Sequence, residues 1–133
     1  MTTRDTVTAM LAAYAQGDVD GALAQCADDV CFKNNATPNF GMWEFDCQGV
    51  DAFRQALGQI NTEFELEHYE VLEILVDGDR AASRQAIRAR HRESGAVTDS
   101  MIADFWTVED GKVTSILEFQ DTADIVALRS KSA

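Results

Sequence analysis

The chain has 133 residues, one proline, three cysteines, and 23 acidic against 11 basic side chains, for a formal net charge of −12. That length suits a single domain over residues 1–133, and 46% hydrophobic residues are enough to fill a core. So acidic a chain repels phosphate backbones, which excludes nucleic acid as a partner. No apolar run approaches the ~20 residues that cross a bilayer, and the Met1-Thr2-Thr3-Arg4-Asp5 start lacks a secretory apolar stretch.

The charge is unevenly spread. Residues 1–79 hold fifteen acidic and three basic side chains, whereas residues 80–133 hold eight of each. Cys26, Cys31 and Cys47 are odd in number and lack paired metal-type spacing. A reduced, cytoplasmic setting is the expectation. His68 and His91 are in neither HxxxH nor HxH spacing, so no metal site is expected.

In chain order, Val7, Met10, Leu11 and Tyr14 form one stripe of an amphipathic helix that stops near Gly17. Asp18 can cap a second helix with the stripe Val19, Ala22, Leu23 and Cys26. Val30-Cys31-Phe32 reads as a short strand. Residues 34–48 lack a helical stripe yet carry Pro38, Phe40, Gly41, Met42, Trp43 and Phe45, a long apolar loop of the kind that folds over something. A third helix begins after Gly49, with Val50, Phe53, Leu57 and Ile60 on one side. From Phe64 the period becomes two, and residues 64–77, 80–92, 100–108 and 112–121 read as strands. Asp121-Thr122 can start a short terminal helix carrying Ile125 and Leu128. Helices succeeded by a meander of long strands imply an α+β fold with helices on one sheet face.

A Gly78-Asp79 turn sets Asp77 opposite Arg80, Glu73 opposite Arg84, Tyr69 opposite Arg88, Glu67 opposite Arg90 and Glu65 opposite Arg92. The arginine row then reads as an ion-paired outer face, each pair adding roughly 0.2–1 kcal/mol; an anion-binding cavity is the alternative. The other face carries Leu66, His68, Glu70, Leu72, Ile74 and Val76 against Ala81, Ser83, Gln85, Ile87, Ala89 and His91. His68, Glu70, Gln85 and His91 on a helix-covered face either satisfy one another or line a wet pocket.

The second hairpin turns at Glu109-Asp110-Gly111 and admits two registers. A two-residue Asp-Gly turn puts Asp104 and Glu118 on opposite faces. A three-residue loop with Gly111 as a bulge puts Ile102, Asp104, Trp106, Ile116, Glu118 and Gln120 on one face. Two carboxyls beside an indole on an apolar surface would have raised pKa values suited to acid/base work.

The run Tyr14-Ala15-Gln16-Gly17-Asp18-Val19-Asp20-Gly21-Ala22-Leu23, then Ala27-Asp28-Asp29-Val30, resembles the opening of nuclear-transport-factor-2-like domains. Asp104-Phe105-Trp106-Thr107-Val108-Glu109-Asp110-Gly111-Lys112-Val113 resembles their late strands. This is the superfamily of SnoaL-like proteins, ketosteroid isomerase and limonene-1,2-epoxide hydrolase. The resemblance spans nearly the whole chain. It implies a cone-shaped, curved mixed sheet with three N-terminal helices and a single deep pocket, and it does not choose among isomerase, lyase, hydrolase and non-enzyme. Matched to the isomerase, the family's base falls on Asn34 and its oxyanion tyrosine on Met10, while the protonated-aspartate position is kept as Asp104. Asn34 takes no proton and Met10 donates no hydrogen bond, which argues against steroid isomerisation by that mechanism. Matched to the epoxide hydrolase, Asn34 takes the water-positioning place and Glu118 the water-activating one, but Phe32 replaces a tyrosine and Arg84-Gln85-Ala86 offers no Arg-x-Asp element. The resemblance places Asp104 and Glu118 in the pocket and so favours the three-residue loop. The loop from Asn34 to Gly49, longer than in the isomerase, reads as a lid bearing Trp43, or as plain packing or a dimer contact.

The expectation is a cofactor-independent enzyme acting on a small apolar molecule, with Glu118 and Asp104 catalytic. Asn34, Trp43, His68, Glu70, Gln85, His91, Trp106 and Gln120 would bind substrate, with no metal and no cofactor. The alternatives are a non-catalytic binder of a small ligand and a module that forms a homodimer through Phe105, Leu117 and Phe119 on the sheet's outer face.

Overall fold

The computed structural model describes residues 1–36 and 44–130. Trp43, with residues 37–42 of the apolar loop read as a lid, lies outside the described residues. The elements run α1 (Thr3–Ala15), α2 (Val19–Leu23), β1 (Cys26–Asn34), β2 (Asp46–Gln48), α3 (Val50–Glu63), β3 (Phe64–Asp77), β4 (Arg80–His91), β5 (Val97–Glu109), β6 (Lys112–Gln120) and α4 (Thr122–Ser130). The α+β expectation and the three N-terminal helices hold. β1 is longer than the Val30–Phe32 segment expected, and β2 was not anticipated, because both strands depend on partners distant in sequence.

The six strands form one curved, unclosed sheet in the order β2-β1-β6-β5-β4-β3. β1 runs parallel to β6 and every other neighbouring pair is antiparallel. The helices begin where local chemistry allows. Thr2 and Asp5 form a reciprocal capping box at the start of α1, both hydrogen bonds 3.1 Å, an arrangement worth about 1 kcal/mol. Asp18 caps α2 by accepting from Gly21 N at 2.8 Å. Thr3 then donates to Gly78 O and Thr6 to Gly111 O. The start of α1 is thereby tied to the turns of both hairpins.

The apolar stripes of α1 and α3 meet the inner sheet face in one cluster that includes Val7, Leu11, Val30, Phe32, Phe53, Leu57, Trp106, Val113 and Ile116. A second cluster, with Phe64, Ile87, Ile102, Ile125 and Leu128, closes the other end under α4. Between them the packing leaves a cavity.

The first hairpin keeps the expected register only near its turn. Gly78, at φ 63°, occupies the left-handed position that a Gly-X turn needs. Asp77 to Glu73 pair with Arg80 to Arg84 as expected. Leu72 and Glu67 are then extra residues, and the pairing shifts at each. Each bulge reverses the inward-outward alternation of the residues beyond it. Tyr69, expected on the arginine face, pairs with Ile87 and turns inward, while His68 and Glu70, expected inward, face solvent.

The arginine row nevertheless forms the ion-paired outer face. Arg84 meets Glu73 at 2.5 Å, Arg88 lies 3.4 Å from Glu67 and 3.3 Å from Asp99, and Arg90 lies 3.0 Å from Glu67. Arg92 lies past the end of β4 and donates to Asn61 O instead. Exposed pairs like these add little net stability and act mainly on register.

The second hairpin matches neither alternative as framed. Glu109 pairs with Lys112 around a two-residue turn, with Asp110 at φ 51° and Gly111 at φ 73°, the signature of a type I′ turn. Thr114 is unpaired, and beyond it Thr107 pairs with Ser115, Trp106 with Ile116 and Asp104 with Glu118. The two-residue turn is thus combined with the facing expected of the three-residue loop.

Candidate functional site

The cavity has a volume of about 110 Å³ and is walled by side chains from every layer. α1 supplies Met10, Leu11 and Tyr14; α3 supplies Phe53, Leu57 and Ile60; α4 supplies Ile125 and Arg129. The sheet contributes Phe32 and Asn34 from β1, Tyr69 from β3, Asp104 and Trp106 from β5, and Glu118 and Gln120 from β6. Phe32 stacks on Phe53 at 4.6 Å, and Tyr14 meets Tyr69 edge-on at 5.4 Å. The walls are largely apolar and aromatic with a few polar groups converging, as in small-molecule sites generally.

Asp104 is 5% exposed, and its Oδ2 accepts a 2.6 Å hydrogen bond from Gln85 Nε2. Gln85 Nε2 also donates to Tyr69 Oη at 3.2 Å. Two buried atoms, Asp104 Oδ1 and Gln85 Oε1, have no hydrogen-bond partner among the described residues. Burial pushes the Asp104 carboxyl up to about 7, with the Gln85 hydrogen bond pulling the other way. Burial, reinforced by the charge of Asp104 opposite, holds Glu118 well above the ordinary carboxylate range. The two tyrosine hydroxyls are likewise raised, by burial first and then by Glu118 and Asp104. Tyr14 and Tyr69 therefore remain neutral phenols, able to donate hydrogen bonds beside the acids.

Of the residues expected at the site, the fold brings Asp104, Glu118, Asn34, Trp106 and Gln120 to the cavity wall. Asn34 Oδ1 accepts from Phe45 N at 2.9 Å and so also pins the chain after the apolar loop. The Trp106 indole donates to Ser83 Oγ at 2.9 Å, leaving its ring as wall. Four other expected residues lie away from the cavity wall. His68 and Glu70 pair with each other at 3.3 Å on the exposed face, displaced by the bulge at Leu72. Gln85 is fully buried but sits behind Asp104 rather than on the cavity surface. His91 lies at the end of β4, where Nε2 is 2.9 Å from Glu63 and Nδ1 is 3.0 Å from Ser94 Oγ. It does not line the cavity. Trp43 is outside the described residues.

Three polar cavity residues were missed. Tyr14 lies on the α1 stripe one turn beyond Met10, and that stripe was the signal. Tyr69 is turned inward by a bulge that no residue pattern announces. Arg129, in α4, is held by both oxygens of Glu63 at 2.6 and 2.8 Å and lies over the Phe64 ring at 5.8 Å. Burial alone would raise Glu63, but hydrogen bonding and charge from Arg129, then His91, bring its carboxyl below the ordinary value. Among the described residues, no three His, Cys, Asp or Glu side chains gather as a metal site requires, and no helix is long and apolar enough to cross a membrane.

A curved mixed sheet over helices, with two acids on the wall of an apolar cavity, is the nuclear-transport-factor-2-like fold. The SnoaL-like domain profile matches residues 7–116, and the chain belongs to that family. An NTF2-like protein of unknown function from Burkholderia pseudomallei K96243 superposes with a TM-score of 0.85 at 21% identity, covering 96% of this chain and 97% of that one. A Mesorhizobium loti protein with the provisional name SnoaL-like polyketide cyclase gives 0.75 at 23% identity, covering 89% and 98%. TerC, co-crystallised with polyporic acid, gives 0.82 at 20% identity, covering 95% and 96%. No curated protein matches the sequence. At these identities the likeness concerns the fold.

Proposed function

We propose that this protein is a cofactor-independent acid/base enzyme, an isomerase, lyase or hydrolase, acting on a small apolar molecule that carries a reactive oxygen. The observation that carries the reading is the opposition of Asp104 and Glu118 across β5 and β6 inside an apolar cavity. Two carboxyls in that setting cannot both ionise readily, so one donates a proton while the other accepts one. Tyr14, Tyr69 and Asn34 are placed to hydrogen-bond a carbonyl, hydroxyl or water oxygen. Aromatic walls and the SnoaL-like relatives support a planar or ring-bearing substrate. The test is solvent deuterium uptake into a panel of enolisable ketones and water addition to epoxides, each monitored by mass spectrometry. Glu118→Gln and Asp104→Asn are expected to lower the rate at least ~100-fold while leaving the fold intact. Unchanged turnover in both variants would overturn the reading.

A second reading, non-catalytic ligand binding, is favoured by the same cavity. It predicts thermal stabilisation by ligand that survives both substitutions. The outer sheet face also exposes Met101, Phe105, Leu117 and Phe119, with Phe105 and Phe119 edge-on at 5.9 Å. This patch supports a homodimer through the sheet, which light scattering of wild type and Phe105→Asp would test. Three free thiols, Cys26, Cys31 and Cys47, are in keeping with a cytoplasmic setting.

A further inference from the structure

The two acids have unequal surroundings. Asp104 Oδ2 accepts a 2.6 Å hydrogen bond from Gln85 Nε2, whereas no hydrogen bond reaches the Glu118 carboxyl among the described residues. Gln85 is fully buried and does not line the cavity, so it acts on the pair from behind and not on a ligand. Its amide nitrogen is further anchored by Tyr69 Oη at 3.2 Å.

A carboxylate keeps its charge where a donor meets it, and a proton stays where none does. We propose that Gln85 assigns the roles in this pair: its amide holds Asp104 as the ionised base, which leaves the shared proton on Glu118 as the acid. Asp104 Oδ1, buried and without a hydrogen-bond partner among the described residues, is then the open acceptor of the pair. The other groups at the cavity do not reverse this order. Tyr14 from α1 and Tyr69 from β3 are neutral phenols, Arg129 from α4 is bound by Glu63, β1 offers the uncharged Asn34, and α3 lines the cavity with Phe53, Leu57 and Ile60 and meets Tyr14 through the uncharged Asn61. Gln85 is a positioning residue in this scheme.

The inference rests on the acid/base reading for its use but is testable without any substrate. The side-chain carboxyl carbons of the 13C-labelled full chain are tracked by NMR against pH and assigned with Asp104→Asn and Glu118→Gln. Asp104 is expected to ionise at the lower pH and Glu118 at the higher. Gln85→Leu should raise the Asp104 midpoint by at least about one pH unit, tenfold in proton affinity. Tyr69→Phe should preserve the order. Glu118 ionising first in the wild type, or an unmoved Asp104 midpoint in Gln85→Leu, would overturn the assignment. If Gln85→Leu does not fold, the order of the wild-type titrations decides alone. The predicted order without turnover on any substrate would sink the enzyme reading and leave the proton assignment standing.

Discussion

Asp104 and Glu118 are directly opposed across the β5–β6 ladder, and the unpaired Thr114, not the turn, opposes them. A one-residue slip in an antiparallel ladder sends every subsequent side chain to the other face. Without the extra residue, the Asp110-Gly111 turn would have carried Glu118 to the exposed side. The bulge thus converts two separate acids into one coupled pair, and the properties of that pair dominate what can be measured.

Stability should fall as pH rises through neutrality. Asp104 and Glu118 bind protons more tightly in the folded chain than in the unfolded one. Their stabilising share is complete below the unfolded carboxyl value and is lost as pH rises through the folded one. Glu63 has the opposite sign, since its lowered value gives stability that is lost only as pH falls into the acid range. Urea unfolding at several pH values between about 5 and 8 should show a declining midpoint, and Asp104→Asn should flatten the decline by on the order of 2–4 kcal/mol at the upper end. A wild-type midpoint that is flat or rising over that range would contradict the burial of these acids.

Removing the Ser83 hydroxyl should strand the Trp106 indole. The Trp106 Nε1–Ser83 Oγ bond is 2.9 Å and both residues are buried. Ser83→Ala leaves a buried N–H without its partner, expected to cost about 1–3 kcal/mol. The loss is read from thermal or urea unfolding, with a shift in Trp106 fluorescence as the local report. Ser83→Thr should restore most of it.

α4 should loosen when Glu63 is neutralised. Glu63 binds the Arg129 guanidinium through both oxygens, and Ser94 Oγ donates to Leu128 O at 3.1 Å. Glu63→Gln breaks a partly buried pair and leaves the Arg129 charge less compensated, at a cost of about 1–3 kcal/mol. Hydrogen exchange should speed up over residues 122–130 and stay unchanged in the central strands. Uniform acceleration across the chain would instead mean that the pair supports the whole domain.

His68 and Glu70 should be dispensable. Their side chains are 56% and 58% exposed, and alanine at either position should change stability by no more than about 0.5 kcal/mol. Ligand-induced thermal shifts and turnover should also be unaffected. A loss of either would return these residues to the pocket.

Period and chain chemistry determined much of this protein by themselves. The Val7-Met10-Leu11-Tyr14 stripe, the Asp18 cap, the switch to period two at Phe64 and the turn at Gly78 are local patterns, and the observed elements agree with them. The placing of Asp104 and Glu118 together came from a family resemblance, because the turn residues alone admitted both facings. What only the tertiary structure decided were the bulges. Glu67, Leu72 and Thr114 are extra residues in their ladders, and a bulge of this kind bends its strand and adds local twist. A bulge depends on partners far away in sequence, so nothing local to Glu67 or Thr114 announces it. The bulge at Leu72 expelled His68 and Glu70 and admitted Tyr69, the one at Glu67 restored the expected facing for Leu66, and the one at Thr114 admitted Glu118. Residue types were legible in the chain; which face each of them occupies was settled by the bulges in the sheet.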